Sequence, residues 1–257
     1  MPQNDIAGII LAAGRGSRMK ELTAEKPKCL LELAGKPLLH WQLAAMRRAG
    51  IEKSLVVRGY AGHCLQGDFE TVENPRWENT NMLSSLLCAK DFASDFFANG
   101  GRRLLISYSD IVWRPEHAEK LLQANEHIAM AYDVLWESLW RLRFEDPLSD
   151  AETFLQQDGF LLEIGQKTDD IANIQGQYMG LLNLDEDGWQ TLLEAAEDLG
   201  EKVDKTDMTA FLRFLLARCV PVEVVPVEGG WCECDNAEDI RNYGNALASG
   251  CWSHDWR

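Results

Sequence analysis

The feature that most constrains this chain is a short apolar run near its start that ends in a glycine-rich turn. Residues 6–12 have the sequence IAGIILA, and Gly14 and Gly16 follow directly. The run is too short and too rich in β-branched residues for a helix, so it predicts a buried strand. Glycines after such a strand let a ligand approach closely, and backbone N–H groups in the turn can point at an anion. The segment therefore predicts a sheet strand followed by a phosphate-binding turn.

Strand and helix patterns alternate up to about residue 135. Apolar runs predict buried strands, and Pro37 and Gly50 fit the first turn and the end of one of the intervening helices. Alternation of this kind is typical of a mostly parallel sheet with helices on both faces. The predicted strands are 53–58, 103–108 and 127–133, and the predicted helices are 37–49, 81–91 and one that begins at Pro115.

The pattern changes in the second half of the chain. Asp158-Gly159 lies between two short apolar runs in residues 152–166 and predicts a β-hairpin. The other predicted elements are a strand at 175–184, two helices within 186–217, a strand at 222–227 and a final helix from about Asn236. We therefore predict an α/β, Rossmann-like fold. It is a mixed, mostly parallel sheet flanked by helices, with a small β-rich insertion that returns to the first sheet.

The composition argues against several classes of protein. The net charge of −16 argues against a nucleic-acid surface, because phosphate backbones are bound by clusters of Lys and Arg. The first apolar run is far shorter than the ~20 residues that span a bilayer, and no later run reaches that length. Seven cysteines without regular spacing favour a reducing compartment. We expect a cytoplasmic protein that binds neither nucleic acid nor membrane; a homo-oligomer is compatible with the sequence.

Two common nucleotide-binding patterns do not fit the turn. A P-loop needs Gly-x-x-x-x-Gly-Lys-Ser/Thr, which Gly14 and Gly16 do not match. A dinucleotide fingerprint needs a third glycine, where this chain has Met19. It also needs an acidic residue at the end of the second strand, where the chain has Val57 and Arg58.

A third pattern, Leu-x-x-Gly-x-Gly-x-Arg with a later Pro-Lys, does match. It occurs as LAAGRGSRM at residues 11–19, KPKCLL at 26–31 and GKPL at 35–38. On these residues the chain resembles nucleotidyltransferases that join a nucleoside triphosphate to a phosphorylated small molecule. They include sugar-1-phosphate nucleotidyltransferases and bacterial phosphocholine cytidylyltransferases. The resemblance implies catalytic roles for Arg18 and Lys28, and nucleotide contacts by Leu11, Ala12, Ala13, Gly14, Arg15 and Gly16.

The charges of this segment agree with that implication. A triphosphate must be neutralised before another anion can approach it. Arg15, Arg18 and Lys28 supply three positive charges around one loop of a strongly acidic protein.

Two acidic positions complete the implied site. Asp110 follows strand 103–108, at the edge of the sheet where open α/β folds bind ligands. In the family an Asp at this point, usually after Gly, holds Mg²⁺; here Ser109 stands in place of that Gly. The family also has a metal-binding Asp at the position of Asp235, which with Glu233 would share one face of a short strand. Carboxylate oxygens suit Mg²⁺; the alternative for Asp235 is the N-cap of the following helix.

Residues 74–90, NPRWENTNMLSSLLCAK, point to the nucleotide base. They resemble the Asn-Asn-x-x-Ser-Leu segment that lies beside the pyrimidine and ribose in phosphocholine cytidylyltransferases. Asn81 and Ser84 match that segment, and Thr80 stands where Asn is frequent. An Asn side chain offers the donor and the acceptor that a cytosine edge requires, so CTP is the expected donor. The alternative is that Asn79 or Asn81 caps a helix.

Residues 132–154 and the segments EIGQK and IQGQYMGLL resemble one branch of the family. That branch covers phosphocholine- and phosphonate-directed cytidylyltransferases, with acceptors such as 2-aminoethylphosphonate and hydroxyethylphosphonate. Trp136 and Trp140 lie four apart and would share a helix face, where they could cage a quaternary ammonium or belong to the core. Arg141 and Lys167 are candidates for the acceptor's phosphorus group, the alternative being solvated surface charge. Further candidates are Arg143 for that group and Asp133, Glu145 and Asp150 for an ammonium.

The predicted function is transfer of CMP from CTP to phosphocholine or a small phosphonate, with Mg²⁺ as cofactor and release of pyrophosphate. A phosphate monoester has a second pKa of about 6 and is largely a dianion at pH 7, so no catalytic base is required. The alternatives are a sugar-1-phosphate nucleotidyltransferase using UTP, dTTP or GTP and a non-catalytic nucleotide-binding regulatory module. We expect one domain, 1–257. Its nucleotide-binding half extends to about residue 135, and an acceptor-binding half occupies about 136–230. A returning metal-site strand and C-terminal helix occupy 231–257.

Overall fold

A computed structural model describes residues 5–257 of the chain. Its strands are β1 (Ile6–Ala12), β2 (Glu32–Leu33), β3 (Lys36–Pro37), β4 (Lys53–Arg58), β5 (Glu70–Glu73), β6 (Arg103–Tyr108), β7 (Ile111–Trp113), β8 (Ile128–Asp133), β9 (Phe154–Gln157), β10 (Phe160–Ile164), β11 (Gln177–Leu184), β12 (Glu223–Val227) and β13 (Trp231–Glu233). Its α-helices are α1 (Leu38–Arg48), α2 (Met82–Leu87), α3 (Lys90–Ala98), α4 (Pro115–Leu121), α5 (Trp136–Arg143), α6 (Glu186–Leu199), α7 (Met208–Ala217) and α8 (Ala237–Ala248).

Nine of these strands form one central sheet in the order β5-β4-β1-β6-β11-β8-β12-β10-β9. The strands β5, β4, β1 and β6 are mutually parallel, and β8 and β12 form a second parallel pair. The antiparallel strand β11 joins the two groups, and the hairpin of β9 and β10 ends the sheet. Seven of the nine strands therefore point the same way. The predicted mixed, mostly parallel sheet and its β-hairpin are confirmed.

The core lies on both faces of this sheet, because its central strands are buried on both sides. All seven residues of β1 are buried, and they alternate between two hydrophobic clusters: Ile10 belongs to one and Ile9 to the other. The first cluster packs under α1, α4 and α5, and the second under α2, α3, α6 and α7. Such two-sided burial explains why β1 has an uninterrupted apolar sequence.

The segment predicted as one helix at 81–91 is interrupted, which corrects that prediction. The N–H groups of Cys88 and Ala89 donate to the carbonyls of Ser85 and Leu86, three residues back rather than four. This tighter turn ends α2, and α3 begins at Lys90. The other predicted elements are present with shifts of a residue or two at their ends.

A two-stranded ribbon brings the C-terminal part of the chain against the end of β6. Strand β13 pairs antiparallel with β7, with Glu233 opposite Ile111. Just beyond this pair, the N–H of Cys234 donates to the carbonyl of Asp110 at 2.9 Å. Residues far apart in sequence therefore meet at the carboxyl edge of the central sheet. No helix in the described range 5–257 is long and apolar enough to cross a membrane.

Candidate active site

The glycine-rich turn packs directly against a buried lysine. Gly16 has φ 68° and ψ 54°, a left-handed conformation that favours glycine. A Cβ at this position would also lie 2.8 Å from the Cβ of Lys28. Gly16 therefore gives the turn its shape and leaves room for the stem of Lys28.

Lys28 links two carboxylates that come from different parts of the chain. Its Nζ donates to Asp110 Oδ2 and to Asp235 Oδ1, in both cases at 2.7 Å. The lysine side chain is 9% exposed, so these pairs are shielded from water. The hydrogen bond from Cys234 to Asp110 holds the two acidic segments together.

A second buried cation lies behind Asp235. The guanidinium of Arg143, at the end of α5, has no exposed surface. It donates to Asp235 Oδ2 at 3.0 Å and to Asp239 Oδ1 at 3.3 Å, and it also contacts Glu233. Arg18 reaches Asp235 Oδ2 from the solvent side at 3.1 Å. Three cations therefore surround one carboxylate.

These contacts shift the pKa values of the charged groups. Burial by itself would raise the pKa of Asp235, but Lys28, Arg18 and Arg143 hold it well below its usual range. Burial would lower the pKa of Lys28, but Asp110 and Asp235 raise it above its usual range. Lys28 and Asp235 are therefore both charged at neutral pH.

Asp235 is not the cap of the following helix. Asn236 caps α8 by accepting hydrogen bonds from the N–H groups of Glu238 and Asp239. The side chain of Asp239 in turn accepts from the N–H of Asp235 at 2.7 Å. The capping alternative is thereby excluded, and the Asp235 carboxylate is left to face Lys28.

The two carboxylates fit a divalent cation that shares its ligands with a substrate. Asp110 Oδ1 is buried and has no hydrogen-bond partner among the described residues, so one oxygen at this site lacks a protein donor. No group of three or more His, Cys, Asp or Glu side chains within 5–257 is arranged to hold a metal ion. Mg²⁺ is commonly bound by one or two carboxylates together with substrate phosphates and water, and the donor set here matches that arrangement.

A cavity of about 260 Å³, the first cavity, opens in front of these groups. Most of the residues predicted to bind the nucleotide, the metal or the reacting phosphates line it. They are Leu11, Ala13, Gly14, Gly16, Arg18, Lys28, Asn81, Asp110 and Asp235. The cavity is also lined by Trp77, Thr80, Met82 and Ser85. Of these four, only Thr80 was named as a candidate from the sequence.

Three of the predicted nucleotide contacts lie outside the first cavity. Ala12 is buried in the core, because alternate residues of β1 face the opposite side of the sheet. Arg15 is exposed, and its guanidinium lies 5.2 Å from the centre of the Tyr60 ring. The hydroxyl of Ser84 donates to Asp204 Oδ1 at 2.9 Å, because Ser84 faces the 3₁₀ turn Gly200–Lys205.

Asn81 combines both roles that the sequence allowed. It lines the first cavity, and its Oδ1 accepts from the N–H of Met82 at 2.8 Å as the N-cap of α2. Its amide nitrogen lies 3.5 Å from the carbonyl of Lys205. The cap fixes the side chain at the mouth of the cavity.

A second cavity of about 210 Å³ lies on the other side of the two acidic segments. Two stretches of chain form the wall between the cavities. In one, Tyr108 lines the second cavity and Asp110 the first; in the other, Glu233 lines the second and Asp235 the first. The other residues that line the second cavity are Trp140, Asp150, Glu152, Thr153, Phe154, Ile164, Lys167, Gln177, Tyr178 and Thr209.

Of the predicted acceptor contacts Trp136, Arg141 and Lys167, only Lys167 lines the second cavity. Lys167 lies in its wall, with Nζ donating to the carbonyl of Asp150 at 2.7 Å. Trp136 is in the hydrophobic core, so it is not part of an aromatic cage. Arg141 is exposed and donates to Glu137, one helical turn earlier, at 2.8 Å.

Arg143 and Asp133, two other candidates from the sequence for binding the acceptor, are bound by other residues of the protein. Arg143 is held by carboxylates and does not line the second cavity. Asp133 is completely buried and accepts from the N–H of Gly229 and from Trp231 Nε1, both at 2.9 Å. Glu152 and Gln177 lie in segments that resemble one branch of the family, but neither residue was named as a candidate; the fold brings both into the cavity wall.

Comparisons with known proteins show which family this chain is similar to. A sequence model of the MobA-like NTP transferase domain matches residues 8–140. The chain is 33% identical over 245 residues to a CTP:phosphoglutamine cytidylyltransferase from Campylobacter jejuni, an alignment that covers 90% of this chain and 96% of the relative. It is 30% identical over 136 residues to a CMP-5'-(3-aminopropyl)phosphonate synthase from Streptomyces rubellomurinus, covering 49% of this chain and 20% of that protein.

The fold is also similar to that of a solved enzyme. The structure of the CTP:phosphocholine cytidylyltransferase LicC from Streptococcus pneumoniae superimposes with a TM-score of 0.68 at 19% identity. The match covers 95% of this chain and 99% of LicC.

Proposed function

The chain belongs to the MobA-like NTP transferase family, and we propose that it is a magnesium-dependent cytidylyltransferase. In this proposal CMP passes from CTP to a small acceptor that bears a phosphate or phosphonate group, and pyrophosphate is released. The nucleotidyltransferase class follows from the family, whereas the nucleotide, the metal and the acceptor belong to the proposal.

One observation carries the proposal. Two cavities share a wall that contains Asp110 and Asp235, and Lys28 lies between these carboxylates. A reaction that joins two phosphorylated molecules needs two binding spaces that meet at a charged centre. We assign CTP to the first cavity and the acceptor to the second.

In the first cavity, the backbone at Gly14 and Gly16 approaches the triphosphate without steric hindrance from side chains. Arg18 and Lys28 stabilise negative charge on the α-phosphate and on the departing pyrophosphate. Arg18 is the more exposed of the two, since 70% of its side-chain surface is accessible and that of Lys28 is 9%.

The chemical step is an in-line displacement. An oxygen of the acceptor's phosphate or phosphonate forms a bond to the α-phosphorus while the bond between that phosphorus and the bridging oxygen of pyrophosphate breaks. The electron pair of the broken bond leaves on pyrophosphate. Because the acceptor arrives deprotonated, the protein supplies orientation and charge stabilisation and no base.

Asp110 and Asp235 would hold Mg²⁺ at the shared wall. When bound, the ion neutralises phosphate charge and thereby allows two anions to approach each other. Lys28 donates to both carboxylates and holds them side by side for this role.

The acceptor is proposed from several relatives of known name. The chain is similar over nearly its whole length to an enzyme named for phosphoglutamine, and over half of its length to one named for an aminopropylphosphonate. Phosphocholine, 2-aminoethylphosphonate and hydroxyethylphosphonate are the candidates from the sequence. Phosphoglutamine joins them on the strength of the first relative.

The test is a pyrophosphate-release assay with four nucleoside triphosphates, with and without Mg²⁺. The acceptors are phosphocholine, 2-aminoethylphosphonate, hydroxyethylphosphonate, phosphoglutamine and glucose-1-phosphate. We expect turnover with CTP, only with Mg²⁺, and with one or more of the first four acceptors. Turnover with glucose-1-phosphate alone would establish a sugar-1-phosphate nucleotidyltransferase. Calorimetric binding of CTP without turnover on any acceptor would favour a non-catalytic module.

A further inference from the structure

Three carboxylates line the second cavity, and they differ in what they contact. Asp150 Oδ2 accepts a hydrogen bond from Trp140 Nε1 at 3.1 Å, and Glu233 is paired with Arg143. Glu152 also lines the cavity, yet its carboxylate makes no hydrogen bond or ion pair with any residue in 5–257. It is the acidic group of this cavity that still lacks a partner.

The carboxyl group of Glu152, which has no partner within residues 5–257, lies in a partly desolvated environment. The side chain is half-buried, and burial raises the pKa of its carboxyl, as do Asp207 and Asp150; Lys167 and Arg213 oppose the shift. Neither cation lies within ion-pair distance. Lys167 donates to the carbonyl of Asp150, and Arg213 donates to the carbonyl of Gly165 at 3.1 Å. A carboxylate partly removed from water is stabilised by a positive group that donates hydrogen bonds to it.

Two other polar side chains of the cavity, those of Gln177 and Thr153, form hydrogen bonds with the backbone. The amide of Gln177 donates to the carbonyls of Glu152 and Gly176 and accepts from the N–H of Glu152. The hydroxyl of Thr153 accepts from the N–H of Gln166 at 3.1 Å. These bonds hold the wall in place. The hydroxyl of Tyr178, which is buried without a hydrogen-bond partner in the described part of the chain, and the carboxylate of Glu152 remain free to contact a ligand, and of these two groups Glu152 is the acidic one.

We propose that Glu152 is a specificity-determining residue that binds an N–H-bearing ammonium group of the acceptor. The inference rests on the proposed function and deepens it. It assigns the acceptor to the class of phosphorylated or phosphonate amines, such as aminoalkylphosphonates and phosphorylated amino acids.

The chemistry of the contact separates three kinds of acceptor. A primary ammonium donates N–H hydrogen bonds to the carboxylate and neutralises it. A quaternary ammonium neutralises charge but has no N–H, and it is best held by aromatic faces. Trp136 lies in the core, whereas Tyr108, Trp140, Phe154 and Tyr178 line the cavity. The preference for an N–H donor therefore rests on the unpaired carboxylate of Glu152 and not on a lack of aromatic faces. A hydroxyl donates one hydrogen bond and leaves the charge of Glu152 uncompensated.

Glu152 belongs to a different segment of the cavity lining from the residues of the shared wall. Tyr108 and Glu233 belong to the wall shared with the first cavity, whereas residues 136–230 contribute nothing to the lining of the first cavity. Because the acceptor's phosphorus group must reach the nucleotide in the first cavity, we assign it to the shared wall. The acceptor's ammonium group faces Glu152.

The experiment compares kcat/KM for 2-aminoethylphosphonate, 2-hydroxyethylphosphonate and phosphocholine by pyrophosphate release, with saturating CTP and Mg²⁺. The variants are wild type, Glu152→Gln and, as a matched control, Glu145→Gln. Glu145 was an ammonium candidate from the sequence, but it is exposed and lies outside both cavities, so it is not part of the proposed binding site. CTP binding by calorimetry is measured for each variant.

We expect wild type to prefer the amine over the hydroxyl compound by about tenfold or more, the scale of a charge-assisted hydrogen bond. Glu152→Gln should remove that preference through KM for the amine, with CTP binding unchanged, and Glu145→Gln should keep it. An equal loss with both phosphonates, or a wild-type preference for phosphocholine, would overturn the assignment. Absence of turnover on every acceptor would instead count against the proposed function.

Discussion

The two cavities differ in how their charges are balanced. In the first cavity Arg18 and Lys28 offset Asp110 and Asp235, so that opposite charges are paired before a substrate arrives. The second cavity has three carboxylates, from Asp150, Glu152 and Glu233, and one lysine, Lys167. In the proposed function, the paired site exchanges its internal partners for a triphosphate and a metal ion. An acidic site with one unpaired carboxylate selects a cation.

Replacement of Arg143, which lies behind the shared wall, should have the largest effect. In Arg143→Met, the carboxylates of Glu233, Asp235 and Asp239 lose their buried cation. We expect a loss of about 3–5 kcal/mol in the free energy of unfolding, as is usual when one partner of a buried ion pair is removed. Chemical denaturation measures the loss. The exposed Arg141→Met should lose less than about 1 kcal/mol, and equal stabilities for the two variants would contradict this role.

The pairing in the first cavity is tested by Lys28→Ala. Loss of the ammonium removes charge stabilisation from the reacting phosphates and leaves Asp110 and Asp235 to repel each other. Turnover should fall by at least ~10², the scale for one such group. Lys26→Ala is the matched control, because Lys26 is exposed and outside both cavities. Near wild-type turnover in Lys28→Ala would refute the assigned role.

Asp110→Ala tests the proposed Mg²⁺ ligand separately from Lys28. We expect turnover to fall by ~10² or more, with a higher Mg²⁺ concentration needed for half-maximal rate. Initial rates across a Mg²⁺ titration measure both effects. Asp68→Ala, at a fully exposed position, should match wild type. An unchanged Mg²⁺ dependence would count against Asp110 as a ligand.

A substitution in the second cavity should have a smaller effect, and the kinetic constant that it changes should be KM for the acceptor. Trp140→Phe removes the hydrogen bond to Asp150 while keeping most of the aromatic volume. One neutral-to-charged hydrogen bond of this kind predicts a several-fold to tenfold rise in KM for the acceptor. KM for CTP should stay within twofold. A larger change in KM for CTP would mean that the cavities are not separate binding spaces.

The smallest effect is a shift in one pKa. Burial raises the pKa of Glu152, and Lys167 opposes that shift. Lys167→Met removes a positive charge that favours the ionised carboxylate, so the pKa of Glu152 should rise further. NMR titration of the labelled side chain measures the change, and the exposed Lys202→Met serves as the control. The carboxylate would then lose its charge at a higher pH, and an ammonium acceptor would bind less well there.

Much of the fold and most of the first cavity could be predicted from sequence. The strand and helix periods gave a mostly parallel sheet, which the structure confirms. The loop residues were recognisable because the need for a left-handed glycine at Gly16 is a local property of the backbone. Ser84 was assigned to the nucleotide although it faces Asp204, because a one-dimensional pattern does not fix the rotation of a short helix.

Which side chains line the second cavity was decided by the tertiary structure. Trp136 and Trp140 share a helix, as do Arg141 and Arg143, yet in each pair the two side chains have different surroundings. Trp140 reaches the cavity while Trp136 packs in the core, and Arg143 is buried while Arg141 meets solvent.

The sequence alone determined which backbone could approach a phosphate and which charges were available for it. The pairing of β13 with β7 decided which of those charges meet, by placing Asp235 beside Asp110 across more than a hundred residues. The packing of α5 then decided which side chains face a ligand. The physical reason is that turn conformation is a local property of the chain, whereas the partner of a side chain depends on segments that only the folded sheet brings together.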